Sequence, residues 1–170
     1  MNKKTLRAGI VGSGFAAGFH LDALQRVFSA NVEVVGVYSR NAENRNNFAQ
    51  SHGIMAFDSL EELIIASDVV HICTPPVTHE AVVISALEKD RHVIVEKPLT
   101  GYFGEDMPDF NGDTFPRETG LEKAMEGVNR MLEAEKKSKG VIMYAENLEK
   151  EELKWRYLLC VSSNWFSNTI

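Results

Sequence analysis

The sequence predicts an α/β fold built on a doubly wound parallel sheet, and three observations carry that reading. Apolar, β-branched runs alternate with helical segments of roughly ten residues, the crossovers that parallel neighbours require. A glycine turn joins the first run to the first helical segment, and the run Val93-Ile94-Val95 closes on the charged pair Glu96-Lys97, followed by Pro98. Charged groups at the end of a buried strand sit where open sheets of this class bind ligands.

Taken in order, Ala8 to Val11 form the first strand, and Phe15, Phe19, Leu24 and Val27 suit the helix after the turn. Val32 to Val37 make the second strand, after which Asn41 caps a polar helix reaching about Ser51. A short strand is expected around Met55 to Phe57. Ser59-Leu60-Glu61-Glu62 has the capping-box spacing and starts the next helix. Val69 to Cys73 form a strand that Pro75-Pro76 stops, and Thr78 caps a helix with Val82, Val83, Ala86 and Leu87 on one face. His92 to Val95 follow as a strand. Tyr102 to Pro116 break the rhythm with prolines, glycines and aspartates, an exposed loop long enough to suggest a lid. Thr119-Gly120-Leu121-Glu122 repeats the capping-box spacing, opening a helix that ends near Gly140, and Val141 to Tyr144 form the last strand.

Composition sets outer bounds. A length of 170 residues fits one domain of about 100 to 200. The net charge of -6 gives no electrostatic reason to expect nucleic-acid or anionic-membrane partners, so any phosphate must be bound by local geometry. Cys73 and Cys160 suit neither a disulfide framework nor a zinc site, and no metal site is expected. The chain enters its first strand without a longer apolar leader, and no window approaches about 18 apolar residues, which predicts a cytoplasmic location.

The turn Gly12-Ser13-Gly14-Phe15-Ala16-Ala17 reads G-x-G-x-x-A between a strand and a helix, the context that gives this motif its meaning. Gly12 permits the tight turn, Gly14 lets backbone approach a pyrophosphate, and Ala17 allows close packing of helix on strand. The N-H groups of the first helical turn then face the phosphates. At the end of the second strand, Tyr38-Ser39-Arg40-Asn41 offers no carboxylate for a ribose 2′-hydroxyl. A hydroxyl and a guanidinium can satisfy a 2′-phosphate instead, which predicts NADP in preference to NAD, with NAD possible.

Together the loop at Gly12, the segment His71-Ile72-Cys73-Thr74-Pro75-Pro76 with His79, and Glu96-Lys97-Pro98 resemble the Gfo/Idh/MocA oxidoreductases. The resemblance spans roughly residues 4–147 and implies an N-terminal Rossmann domain that holds NAD(P). It also implies a C-terminal α/β domain completing the site, and activity on a carbinol carbon of sugars, polyols or related compounds. Carried over to this chain, Gly12, Ser13, Gly14, Phe15 and Ala16 match the pyrophosphate loop, and Ser39 and Arg40 the adenosine-ribose end. Thr74 and Pro75 match the turn lining the cofactor, and His79 the histidine after it. Glu96 and Lys97 match the reacting end, Lys97 contacting substrate and nicotinamide ribose. The Lys97-Pro98 bond is a candidate cis peptide, and Pro76 departs from the asparagine often found there.

Independently of that resemblance, removing a hydroxyl proton during hydride transfer needs a base or polarising group, and a partly buried Lys97 can supply one. The alternative is a surface lysine paired with Glu96. His71 reads as a core histidine, Cys73 as a small buried apolar residue, and His20 and His52 as helix-surface residues.

These readings divide the chain into a dinucleotide-binding domain, 1–147, and a tail, 148–170, in which Trp155, Tyr157, Leu158, Leu159, Trp165 and Phe166 follow neither period. The family's second α/β domain is then lacking. A sugar-like substrate would need a second lobe from another chain, and a homo-oligomer is possible. The competing expectation is a non-catalytic NADP-binding module or an inactive truncated remnant.

Overall fold

A computed structural model of the chain describes residues 5–105 and 107–145, together with the backbone of 159–160. Its parallel strands are β1 (Thr5–Val11), β2 (Asn31–Tyr38), β3 (Val69–Ile72), β4 (His92–Val95) and β5 (Ile142–Tyr144), ordered β2-β1-β3-β4-β5 across the sheet. A two-residue strand, β6 (Leu159–Cys160), adds antiparallel to β5 from within the segment expected to be a tail. The aromatic residues Trp155, Tyr157, Trp165 and Phe166 lie outside the described residues.

All four residues of β3 are buried. A central parallel strand has helices on both faces, so its apolar run need not alternate. The helices are α1 (Phe15–Gln25), α2 (Ala42–His52), α3 (Leu60–Ala66), α4 (His79–Leu87) and α5 (Arg117–Lys136). Successive residues of β1 feed opposite layers. Ile10 packs with Ala17 and Leu21 of α1 and Phe48 and Ala49 of α2, whereas Val11 joins Leu63 of α3, Val83 and Leu87 of α4 and Met131 of α5. The doubly wound arrangement is therefore what forms. On its buried side α1 presents Ala17 and Leu21, and burying a leucine stabilises by about 2 kcal/mol. Its Phe15 and Phe19 remain exposed.

Local signals placed some boundaries well. Asn41 accepts from the Asn44 N-H at 2.9 Å, and Ser59 accepts from the N-H groups of Glu61 and Glu62, so both predicted caps open their helices. Elsewhere a neighbouring proline decided. Thr78 has helical backbone angles and makes no side-chain cap, because the turn Pro76–Thr78 is already a single 3₁₀ turn leading into α4. Likewise α5 starts at Arg117, directly after Pro116, which leaves Thr119 inside the first turn. The expected strand at Met55 to Phe57 reduces to one parallel bridge between Ala56 and Val37. Gly36 explains the tight approach: its φ is 153°, and a Cβ there would lie 2.4 Å from the Met55 carbonyl oxygen.

The loop between β4 and α5 is not bare. Tyr102, Phe110 and Phe115 form a triangle with every pair of ring centroids 5.2 Å apart, a small apolar core of its own. Among the described residues no helix is long and apolar enough to cross a membrane.

Candidate functional site

The expected site residues all follow the carboxyl ends of β1 to β4, which parallel pairing brings to one edge of the sheet. At β1, the Gly12 N-H donates to the Tyr38 carbonyl at 2.8 Å, tying the glycine turn to the exit of β2. Gly12 has φ 109°, and a Cβ there would sit 2.6 Å from the Cys73 carbonyl oxygen at the exit of β3. Only glycine fits that left-handed backbone and that gap. Gly14 is the N-cap of α1, makes no side-chain cap bond, and has nothing within 4 Å of where its Cβ would be. The start of an 11-residue helix is thus left with free N-H donors, no acidic side chain in its first turn, and open space beside Gly14. That arrangement fits a pyrophosphate. Ser13 and Ala16 are partly exposed in the same turn, and Phe15 is 83% exposed with its ring edge-on to Phe19 at 4.6 Å.

At β2, Ser39 is partly buried and Arg40 exposed. The fold adds two groups the sequence reading missed. Arg45, only 8% exposed, donates through Nη1 to the Ser39 carbonyl at 3.3 Å and through Nη2 to Asp58 Oδ1 at 2.5 Å. The strand exit itself carries no carboxylate, but the structure brings Asp58 to it, already paired with a guanidinium.

At β3, the Thr78 hydroxyl lies 2.8 Å from Thr74 Oγ1 and 2.9 Å from the Pro75 carbonyl. A carbonyl only accepts, so Thr78 donates to Pro75 and accepts from Thr74. His79 is completely buried, with Nε2 2.9 Å from the Thr74 carbonyl and Nδ1 3.1 and 3.2 Å from those of Pro98 and Leu99. It fastens the Thr74-Pro75 turn to the segment after β4 and presents no surface to a ligand.

At β4, the Lys97-Pro98 peptide is cis, as expected. Lys97 is exposed rather than partly buried. Glu96 does not pair with it. One carboxylate oxygen lies 3.1 Å from His20 Nε2, and the other accepts from the Lys97 backbone N-H at 3.0 Å. His20 therefore is not a surface residue: its Nδ1 lies 2.8 Å from Nδ1 of His71. His71 is buried, and that burial, with the neighbouring His20, pushes its pKa down to about 3, so the ring is neutral at pH 7. His52, the other helix-surface assignment, bonds locally to the Phe48 carbonyl and the Ser51 hydroxyl.

Cys73 is buried beside these groups. Desolvation and then the charge of Glu96 push its thiol up to about 12. Cys73 is therefore expected to resist iodoacetamide at pH 8 in the native protein and to react once unfolded, read as the mass of the peptide that carries it. Alkylation of the native protein at the rate of a free thiol would contradict this burial.

Clefts of about 340 and 480 Å³ open elsewhere, one by Thr5, Asp68 and Arg91 and one by Ile84, Asn129 and Lys137. None of the groups above lines either.

Comparison with known proteins identifies the family. Residues 6–105 match the model of the GFO_IDH_MocA oxidoreductase family, NAD-binding Rossmann fold. Glucose-6-phosphate 3-dehydrogenase of Bacillus subtilis is 37% identical over 93 residues, 55% of this chain and 26% of that protein. An inositol 2-dehydrogenase of Cereibacter sphaeroides is 36% identical over 97 residues, 56% of this chain and 29% of its own. Among solved structures, UDP-N-acetylglucosamine 3-dehydrogenase GnnA from Acidithiobacillus ferrooxidans superposes with a TM-score of 0.65 at 23% identity, over 84% of this chain and 38% of that one. The chain spans under a third of these two curated relatives. Strand order, glycine turn and family match converge, and the chain belongs to the Gfo/Idh/MocA oxidoreductases, in their NAD-binding Rossmann fold.

Proposed function

We propose that this chain is the cofactor-binding part of a dehydrogenase that moves hydride between a nicotinamide dinucleotide and a sugar or polyol carbinol, with Lys97 at the reacting carbon. The observation that carries the reading is the convergence of an uncapped, open glycine turn, the Thr74-Pro75 turn and the exposed Lys97 on one sheet edge. In this reading Gly12, Ser13, Gly14, Phe15 and Ala16 cradle the pyrophosphate, and Thr74 and Pro75 line the path to the nicotinamide. His79 and Glu96 act through the backbone they hold, His79 on the Thr74 turn and Glu96 on the Lys97 amide. The bound dinucleotide supplies the hydride chemistry. Lys97 hydrogen-bonds the carbinol oxygen and helps polarise it as its proton leaves.

Ser39 and Arg40 support NADP as the preferred cofactor. Asp58 would oppose a 2′-phosphate, but Arg45 already engages its carboxylate. A charge-assisted, bidentate contact from Arg40 is worth about 1.5 to 3 kcal/mol, so NADPH is expected to bind at least about tenfold tighter than NADH. Fluorescence titration checks this, and equal or tighter NADH binding rejects it. With a sugar and polyol panel, Lys97→Ala is expected to lower turnover about 100-fold or more while NADPH still binds. Unchanged turnover in that variant would remove Lys97 from the mechanism.

A second reading is a dinucleotide-binding module without catalysis, favoured by the exposure of Lys97, which stands in solvent and not in the partly buried setting expected of a polarising lysine. That module would bind NADPH and give no absorbance change with any substrate.

A further inference from the structure

Glu96 adjoins Lys97 in sequence, yet among the described residues its ion-pair partner is His20, 76 positions away in sequence. Both carboxylate oxygens are in use, one on the imidazole of α1 and one on the Lys97 amide. Behind His20 stands His71 on β3, its ring edge-on with centroids 5.1 Å apart and an interplanar angle of 85°. With both rings neutral, one proton assignment satisfies every contact. His20 Nε2-H donates to Glu96, and His71 Nδ1-H donates to His20 Nδ1. His71 Nε2 is then a bare acceptor, and it is the atom of that ring found buried without a partner.

We propose that His20 is a positioning residue for Lys97: it holds the Glu96 carboxylate on the Lys97 amide and away from the Lys97 ammonium. The inference rests on Lys97 being the reacting lysine of the proposed function. The chain of contacts links α1, which carries the glycine turn, to the end of β4, which carries Lys97. The helix that follows the pyrophosphate turn and the reacting lysine are thus joined by one strut. A carboxylate released from His20 could turn onto the neighbouring ammonium, which would take up the donors that a carbinol oxygen needs. The helix-surface role first expected of His20 would require none of this.

The test is amide hydrogen exchange followed by NMR on the full chain without cofactor, reading Lys97, with Val70 and Val93 of the central strands as monitors of the fold. His20→Ala is expected to speed Lys97 exchange about tenfold or more, while Val70 and Val93 keep their protection. His20→Gln retains an N-H donor and is expected to stay within about threefold of the native rate. Glu96→Ala removes the acceptor directly and should match His20→Ala, with the double variant adding nothing further, as groups acting in series do. If His20→Ala loses protection throughout, the Glu96→Ala and His20→Gln measurements still decide. Native exchange at Lys97 in His20→Ala, or equal acceleration in the alanine and glutamine variants, would overturn the proposal. Because exchange is read on the free protein, a chain that fails to bind NADPH sinks the functional reading without touching this result.

Discussion

Gly12→Ala is expected to destabilise the protein by roughly 2 to 5 kcal/mol and to abolish dinucleotide binding, whereas Gly14→Ala is expected to lose binding alone. The two glycines stand two residues apart and differ in what surrounds them. At Gly12 the backbone has φ 109°, and an added Cβ would meet the Cys73 carbonyl oxygen at 2.6 Å and its carbon at 2.9 Å. Those are main-chain atoms at the exit of β3, the neighbouring strand. They cannot retreat cheaply, because Cys73 N-H donates to Val11 O at 2.8 Å and Gly12 N-H to Tyr38 O at the same distance. Left-handed strain and overpacking therefore add. At Gly14 the backbone has φ -97°, open to any residue, and nothing lies within 4 Å of the new Cβ. That empty space has a use only if something else enters it. Urea denaturation and NADPH titration on both variants read the two effects apart. Native stability in Gly12→Ala would refute the steric argument, and native affinity in Gly14→Ala would refute the cradle.

Those glycines were legible because their constraint is local: two glycines, a strand before and a helix after suffice to specify the turn. The same holds for Asn41 and Ser59, whose caps span three residues, and for the apolar runs that became β1 to β5. Thr78 and Thr119 failed as caps for an equally local reason, since Pro76 and Pro116 had already set the backbone that enters each helix. His20 is a different kind of miss. Helical spacing sets it three residues after Ala17 and four before Leu24, at the flank of the buried face, yet its partners, His71 and Glu96, lie 51 and 76 positions away in sequence and meet it only once β3 and β4 are side by side. Arg45 and Asp58 are closer in sequence, and the signal was available in principle, since a basic residue on the inner side of a polar helix needs an acceptor. Lys97 was singled out by its motif, but its exposure was not foreseen, because exposure at a sheet edge depends on what covers that edge.

Acid should destabilise the protein through His71, with a sign opposite to that of a salt-bridged histidine. In the unfolded chain the ring takes up a proton near its ordinary pKa of about 6.5, whereas the folded protein holds it neutral down to about 3. Between those values the unfolded state binds more protons, so stability falls as pH falls, by about 1.4 kcal/mol per unit. Above pH 7.5 the group contributes nothing, and below about 3 its effect is complete. From pH 6.5 to 5 the loss attributable to His71 is therefore about 2 kcal/mol, a large share of a domain's total stability. Carboxylates titrate in the lower part of this range as well, so the informative quantity is the difference between native protein and His71→Leu, which fills a similar volume and cannot titrate. Across urea midpoints for both proteins at pH 7.5, 6.5, 5.5 and 5, the native midpoint should fall relative to that of His71→Leu at each step down. Parallel curves would mean that His71 is protonated in the folded protein, and in that case both His71 nitrogens would be donors, His20 Nδ1 would accept, and His71 Nε2-H would be an orphaned buried donor, the costlier arrangement.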